Sequence, residues 1–261
     1  MKTDSQTRIM RALGAEELVN KVNLLHTKGQ GIFQPTATTS ALLLQASNLV
    51  KKNTSVLDLG CGWGIIGLEL ALKMKGNISL SMSDLSENAV EAAKYNAKVL
   101  GVTSKIEIGS IFEPWNKKEF DLIISDISGV SEEVPFLSKW FQDIPSSSGS
   151  DGLQLVSTVI RTAGEYLKNT DSKILMPLIS LSNVAKGEKL MHTYFMNVKL
   201  LSQKEWNLEL ESKFDLKMEE LKTNCFIDFS KVGNVYKFFT RIYELSNPIV
   251  RIPEKEHEND E

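Results

Sequence analysis

The chain predicts an α/β fold in which a mostly parallel sheet is covered by helices on both faces. From residue 55 onward, short apolar runs alternate with amphipathic stretches in a β-α-β-α rhythm, the pattern left by parallel strands joined through crossover helices. Glycines at alternate positions, Gly60, Gly62 and Gly64, follow the first apolar run and open a helical stretch. An acid, Asp84, closes the second run. Right-handed crossovers gather the strand C-termini on one edge, where open sheets of this kind bind ligands.

Taken in order, residues 1–30 read as helical, with Ile9, Leu13, Leu18, Val22 and Leu25 on roughly one face. A Pro turn and a Thr/Ser cluster suited to capping come next, and an apolar helix runs from about Ser40 to Val50. "SVLDLG" at 55–60 and "NISLSMSD" at 77–84 are strands, each followed by a helix, at 65–74 and 86–101. Gly101 stops the second of these. "KIEIGS" and "FDLIISD" are the third and fourth strands, 151–169 is a helix, and "SKILMPLIS" is the fifth strand. The rhythm then loosens into a helix near 182–195, a strand near 196–202, a charged stretch with a short helix, and the last strand "VYKFFTRIYELS". The tail after residue 250 is charged and predicts disorder.

Composition narrows the function classes. The 261 residues are 42% hydrophobic and 24% charged, which suits a globular protein with a sizeable core. A net charge of −3 supplies no general basic field for nucleic acid. The pairs Lys51-Lys52 and Lys117-Lys118 flank strands and read as solvated edges. Two cysteines, Cys61 and Cys225, form neither a disulfide framework nor a metal-ligand spacing, so a reducing cytoplasm and no metal are expected. No apolar leader and no run of 18 apolar residues occurs, so neither export nor membrane spanning is expected. His26 and His192 lie in predicted helices and read as surface or packing residues.

"VLDLGCGWGIIGLEL" carries the most chemistry. Glycines after a buried strand let backbone N–H groups approach a ligand at a helix N-terminus. Gly62 to Gly67 also fits the dinucleotide spacing G-x-G-x-x-G, a weak signal by itself. The acid two positions before the first glycine, making D-L-G-C-G-x-G of Asp58 to Gly64, resembles the first motif of class I S-adenosylmethionine-dependent methyltransferases. The resemblance implies that this loop wraps the amino-acid end of the cofactor, with Asp58 helping to hold its ammonium. It implies that Asp84 accepts the ribose hydroxyls. Dehydrogenases place an acid there too, so Asp84 alone does not separate the two. Cys61 reads as packing within the loop, and Trp63 either covers the methionine end or shields the turn.

"GIFQPTATTSALLLQA", "SDLSENAVEAAKYNAKVLGV" and "GSDGLQLVSTVIRTAGEYLK" extend the resemblance to the release-factor glutamine and small-domain rRNA methyltransferases over about residues 30–180. That group implies a Rossmann-like seven-stranded sheet whose last strand is antiparallel. It divides the chain into a helical lid or substrate segment at 1–50, a cofactor-binding domain at 51–250 with a substrate-side insertion at 205–234, and a tail at 251–261. The implied cofactor contacts are Thr38 or Thr39 from the lid, Asp58, Gly60, Cys61, Gly62, Gly64, Asp84, Leu85, Ser110, Ile111 and Asp126.

Two departures shape the expectation. The third motif reads "IGSIFEP", with Ser110 where the group has an acid or amide near the adenine, leaving Ile111 or Phe112 to share that contact. The group's N-P-P-Y is replaced by Asp126-Ile127-Ser128-Gly129, which keeps an acceptor but lacks the prolines and the aromatic platform. Asp126 and Ser128 are the expected catalytic residues, Asp126 either orienting a cationic or N–H-bearing acceptor or acting as base, and Ser128 adding a donor. Alternatively Asp126 caps the turn that follows. Glu132 and Glu133 read as the charged first turn of a helix.

The leading expectation is a monomeric or homodimeric methyltransferase acting on a nitrogen or oxygen of a small molecule or peptide. A protein-glutamine or rRNA methyltransferase with a divergent fourth motif is the alternative within the same chemistry. A cofactor-binding protein without catalysis is the alternative outside it.

Overall fold

The computed structural model describes residues 2–116, 118–127, 129–134 and 148–249. Ser128, the predicted Lys117-Lys118 pair in part, and the tail beyond 250 therefore fall wholly or partly outside the described residues. No helix among the described residues is long and apolar enough to cross a membrane.

Five parallel strands form the predicted half of the sheet: β1 (Ser55–Leu59), β2 (Ser79–Asp84), β3 (Ser104–Ile108), β4 (Leu122–Ser125) and β5 (Lys173–Ile179). The order is β3-β2-β1-β4-β5, continued by β8 (Val235–Pro248) and β6 (Phe195–Glu209). β8 runs antiparallel to both of its neighbours. A three-residue β7 (Ser230–Val232) pairs with β8 and makes eight strands where seven were expected.

Helices α3 (Ala37–Leu49), α4 (Ile65–Lys73), α5 (Glu87–Leu100), α6 (Gln154–Thr162) and α7 (Val184–Tyr194) cover the sheet. Local chemistry sets their ends. The Ser86 hydroxyl accepts from the Ala89 amide at the start of α5, and Gly101 closes that helix at φ +67°. α6 stops at Thr162 and passes into a 3₁₀ turn, shorter than the predicted helix to 169.

The N-terminal segment is not one helix. α1 (Lys2–Leu13) ends before Gly14, whose φ of +73° breaks the run, and α2 (Glu16–Val19) is a single short turn. What seats this segment is a buried carboxylate of the core, since Glu69 of α4 accepts from the amides of Glu17 at 2.9 Å and Leu18 at 3.0 Å.

The stretch given as an insertion at 205–234 also needs correction. Residues 205–209 continue β6, so the β6/β8 hairpin projects well past the parallel strands. Only then come α8 (Asp215–Thr223) and β7. This projection has its own core, in which Met218, Leu221, Phe229, Tyr236 and Phe238 pack with Val130 and Val134 from the loop after β4.

Candidate functional site

The C-terminal ends of β1, β2 and β4 bring together three carboxyl groups, from Asp58, Asp84 and Asp126. The glycine loop between β1 and α4 is built against them. Gly60, Gly62 and Gly64 all have positive φ, at 71°, 54° and 94°. The Gly60 and Cys61 amides both donate to the Ser83 carbonyl. A Cβ on Gly60 would lie 3.0 Å from the Asp126 carbonyl oxygen, so the close approach of β4's end requires glycine there. By contrast a Cβ on Gly62 would meet only the Phe33 carbonyl, at 3.8 Å, leaving the loop open on that side.

Asp58 is 1% exposed and lies under this loop. Its Oδ2 accepts from the Gly67 amide at 2.9 Å, near the N-terminus of α4. Gly67 permits that approach, since a Cβ there would fall 2.7 Å from the Met82 sulfur. Its Oδ1 is buried and has no partner among the described residues. Burial raises the pKa of Asp58 to about 7, and repulsion from Asp126 and Asp84 adds to the rise, against the lowering effect of the Gly67 amide.

Asp84 ties the second strand to the loop. Oδ2 accepts from the Gly62 amide and Oδ1 from the Ser86 amide, both at 2.9 Å. Each oxygen retains a lone pair for a further donor. Leu85 beside it is 70% exposed. Ser110 and Ile111 follow β3 next to Asp84, whose carbonyl holds the Gly109 amide. The Glu113 carboxylate accepts from the Ser110 amide, and Ile111 takes a strained φ of +47°.

Asp126 follows β4 directly and is half-buried. Its Oδ2 accepts a 2.7 Å hydrogen bond from the Thr39 hydroxyl of α3. Desolvation lifts its pKa to about 6, and the Thr39 hydrogen bond opposes that rise. Ser125, just before it, carries a buried hydroxyl with no partner among the described residues. Ser128 lies outside the described residues. Glu132 and Glu133 sit in a turn rather than a helix, and Glu133 faces Lys217 at 3.4 Å.

Cys61 is buried, and burial pushes its thiol pKa well up, which suits packing. Trp63 is 1% exposed within the core, so it shields the turn, although its indole N–H finds no partner among the described residues.

Of the two lid threonines, Thr38 contributes its amide to the Thr36 cap, whereas Thr39 reaches the acid. The T-x-x-T spacing of a capping box was a legible sign that Thr39 was special. Asn96 of α5 is fully buried. Its side chain accepts from the His26 amide and donates to the carbonyls of His26 and Trp63, clamping the lid loop to the glycine loop. His26 is accordingly held by its backbone.

Comparison with known proteins agrees with this geometry. Residues 26–126 match the model of the methyltransferase small domain. The chain is 30% identical over 159 residues to a bifunctional methyltransferase of Rickettsia prowazekii, covering 58% of this chain and 30% of that one. It is 32% identical over 141 residues to a release factor glutamine methyltransferase of Buchnera aphidicola, covering 51% and 50%. The chain thus spans half or less of the length of these curated relatives.

Among solved structures, precorrin 8w decarboxylase of Methanobacterium thermoautotrophicum aligns with a TM-score of 0.51 at 16% identity, covering 85% of this chain and 96% of that one. A 16S rRNA N2 methyltransferase of T. thermophilus, solved with AdoMet and guanosine, aligns at 0.50 and 13%, covering 80% and 44%. Residues 26–126 are thus similar to the methyltransferase small domain, and the chain has the class I methyltransferase fold.

Proposed function

We propose that this chain is an S-adenosylmethionine-dependent methyltransferase acting on a nitrogen or oxygen of a small molecule or peptide. The observation that carries this reading is the buried Oδ1 of Asp58, a polar atom without a partner among the described residues at the foot of a glycine loop that is open beside Gly62. An acceptor left unpaired in the core costs about 1–3 kcal/mol, which a ligand donor or a bridging water recovers. The residues therefore fit the cofactor. Asp58 and the backbone of Gly60, Cys61, Gly62 and Gly64 would hold its amino-acid end, with Thr38 on the lid side. Asp84 would take the ribose hydroxyls, and Leu85, Ser110 and Ile111 would flank the adenine.

When bound, the cofactor supplies a methyl group made electrophilic by the sulfonium. What remains for the protein is to position the acceptor and manage its proton. Asp126 is the group suited to both, because it follows β4 at the same cleft and has a free carboxylate oxygen.

A second reading, methylation of a protein glutamine or of rRNA, draws on the Buchnera relative and on the T. thermophilus structure. Against it stands the replacement of the flat N-P-P-Y platform by Asp126, Ile127, Ser128 and Gly129.

Calorimetry with S-adenosylmethionine tests the cofactor assignment. Wild type should bind it, and Asp84→Ala should weaken binding at least tenfold, the loss expected for hydrogen bonds to a charged group of about 1.5–3 kcal/mol. Binding of NAD in place of S-adenosylmethionine would overturn the assignment. Methyl-labelled cofactor incubated with separated small-molecule, protein and RNA pools then identifies the acceptor class. Label in RNA would reject the leading reading in favour of the second.

A further inference from the structure

Resting on the methyl-transfer reading above, we propose that the acceptor is an amine that enters as an ammonium ion, gripped by the free oxygen of Asp126, with Thr39 as the positioning residue for that carboxylate. Asp126 would take one ammonium proton and pass it to water, and the freed nitrogen lone pair would bond to the methyl carbon as the methyl–sulfur bond breaks, leaving an N-methylammonium product and S-adenosylhomocysteine.

The Thr39 hydroxyl has one proton and two hydrogen-bond roles. Its oxygen accepts from the Thr36 amide at 3.1 Å, as the reciprocal half of the capping box that starts α3. An amide can only donate, so the Thr39 proton is left for Asp126, to which the oxygen lies at 2.7 Å. Asp126 Oδ2 must then be an acceptor. The arrangement favours an ionised carboxylate with one oxygen committed and the other turned over to a ligand. Thr39 is the only hydrogen-bond partner of this carboxylate among the described residues.

The surroundings say what kind of donor completes the site. Asp58 and Asp84 stand at the ends of the two neighbouring strands, and Asp58 and Asp126 repel each other across the cleft. No lysine or arginine among the described residues forms an ion pair with any of the three. Asp58 is buried and Asp84 and Asp126 are half-buried, and carboxylates drawn out of water without a cation gain from a positively charged partner. The buried Asp58 Oδ1, without a partner among the described residues, is met by the cofactor in the reading above, so the donor that Asp126 awaits is a separate one.

The cofactor's own positive groups meet part of this demand. A neutral alcohol would add no charge, and a planar amide would find no aromatic platform among Ile127 and Gly129. An ammonium supplies both the charge and the N–H donor that the free oxygen of Asp126 is arranged to accept.

Calorimetry on the protein loaded with S-adenosylhomocysteine tests this at neutral pH. The probes are n-butylammonium and Nα-acetyl-lysine amide, set against the neutral n-butanol and Nα-acetyl-norleucine amide. Wild type should bind the ammonium probes at least tenfold more tightly than their neutral counterparts, and Asp126→Asn should abolish that preference. Thr39→Val should weaken ammonium binding about tenfold, while Thr39→Ser restores it, each measured on protein saturated with S-adenosylhomocysteine at that variant's own affinity. Equal binding of neutral and ammonium probes, no ammonium binding to the loaded protein, or Thr39→Val binding like wild type would overturn the proposal. Failure of S-adenosylhomocysteine itself to bind would instead strike the methyl-transfer reading, and this one with it.

Discussion

Asp58 is the residue at which burial and function oppose each other most directly. Its folded pKa of about 7 lies well above the ordinary value of 3.8, so between those pH values the folded chain holds a proton that the unfolded chain has released. Stability then falls as pH rises through that window, because the folded state binds more protons than the unfolded one. Asp126 adds a slope of the same sign up to about pH 6. Asp58→Asn removes the larger of the two. In the cofactor-free protein it should raise Tm by several degrees at pH 8 and by much less at pH 4, while weakening S-adenosylmethionine binding. Thermal melts at the two pH values check this, and an equal shift at both would show that ionisation is not what destabilises the wild type. The gathering of the three acids at one sheet edge was legible, since Asp84 and Asp126 each close an apolar run and Asp58 stands two positions before the first loop glycine. What was not legible is the direction of the Thr39 proton. That depends on a contact between residues 87 apart in the chain, which no local pattern records.

At the scale of the element, the N-terminal helices are held by core side chains rather than by their own propensity. α2 has only four residues, too few to persist alone. The two oxygens of Glu69 accept from the amides of Glu17 and Leu18, its second and third residues, a carboxylate at the positive end of a helix turn. Burial raises the pKa of Glu69 while these two amides lower it. Glu69→Gln keeps the shape but loses one acceptor oxygen and the charge. The expected result is a destabilisation of about 1–2 kcal/mol, with faster amide exchange concentrated in residues 7–24 and little change in β1 to β5. Uniform acceleration across the sheet would show that Glu69 is simply part of the global core. A single helix over 1–30 was predicted because its apolar spacing nearly fits one face. The positive φ at Gly14 and the tertiary hold on Glu17 and Leu18 divide it instead.

Across the whole molecule the two halves of the sheet differ in how they announce themselves. β1, β2, β4 and β5 are largely buried runs and β3 is an edge strand with only Ile106 buried, but the change of period and the local caps and glycines let all five be read from the chain. β6 is mostly exposed and mixes charged with apolar residues along its 15 positions, so its true length depends on its partner β8. The projecting part of that hairpin packs on the loop after β4, where Val130 and Val134 share a core with Tyr236 and Phe238, and the Ser131 amide also donates to the Leu181 carbonyl. The glycine loop and the Asp58 environment draw on different packing, in the core that contains Cys61, Trp63 and Ile66. Damage to the hairpin core should therefore reach the acceptor side and spare the cofactor side. Phe238 is 1% exposed and stacks on Trp206 at 4.8 Å between ring centroids. Phe238→Ala should cost about 3–5 kcal/mol by cavity formation and speed amide exchange at residues 129–134. S-adenosylhomocysteine affinity should stay within about twofold of wild type at a temperature where the variant is folded, since the lost contacts do not border Asp58 or Asp84. If cofactor affinity instead fell in step with stability, the hairpin and the glycine loop would form one cooperative unit. Acceptor and cofactor sites would then not be separable by mutation of this core.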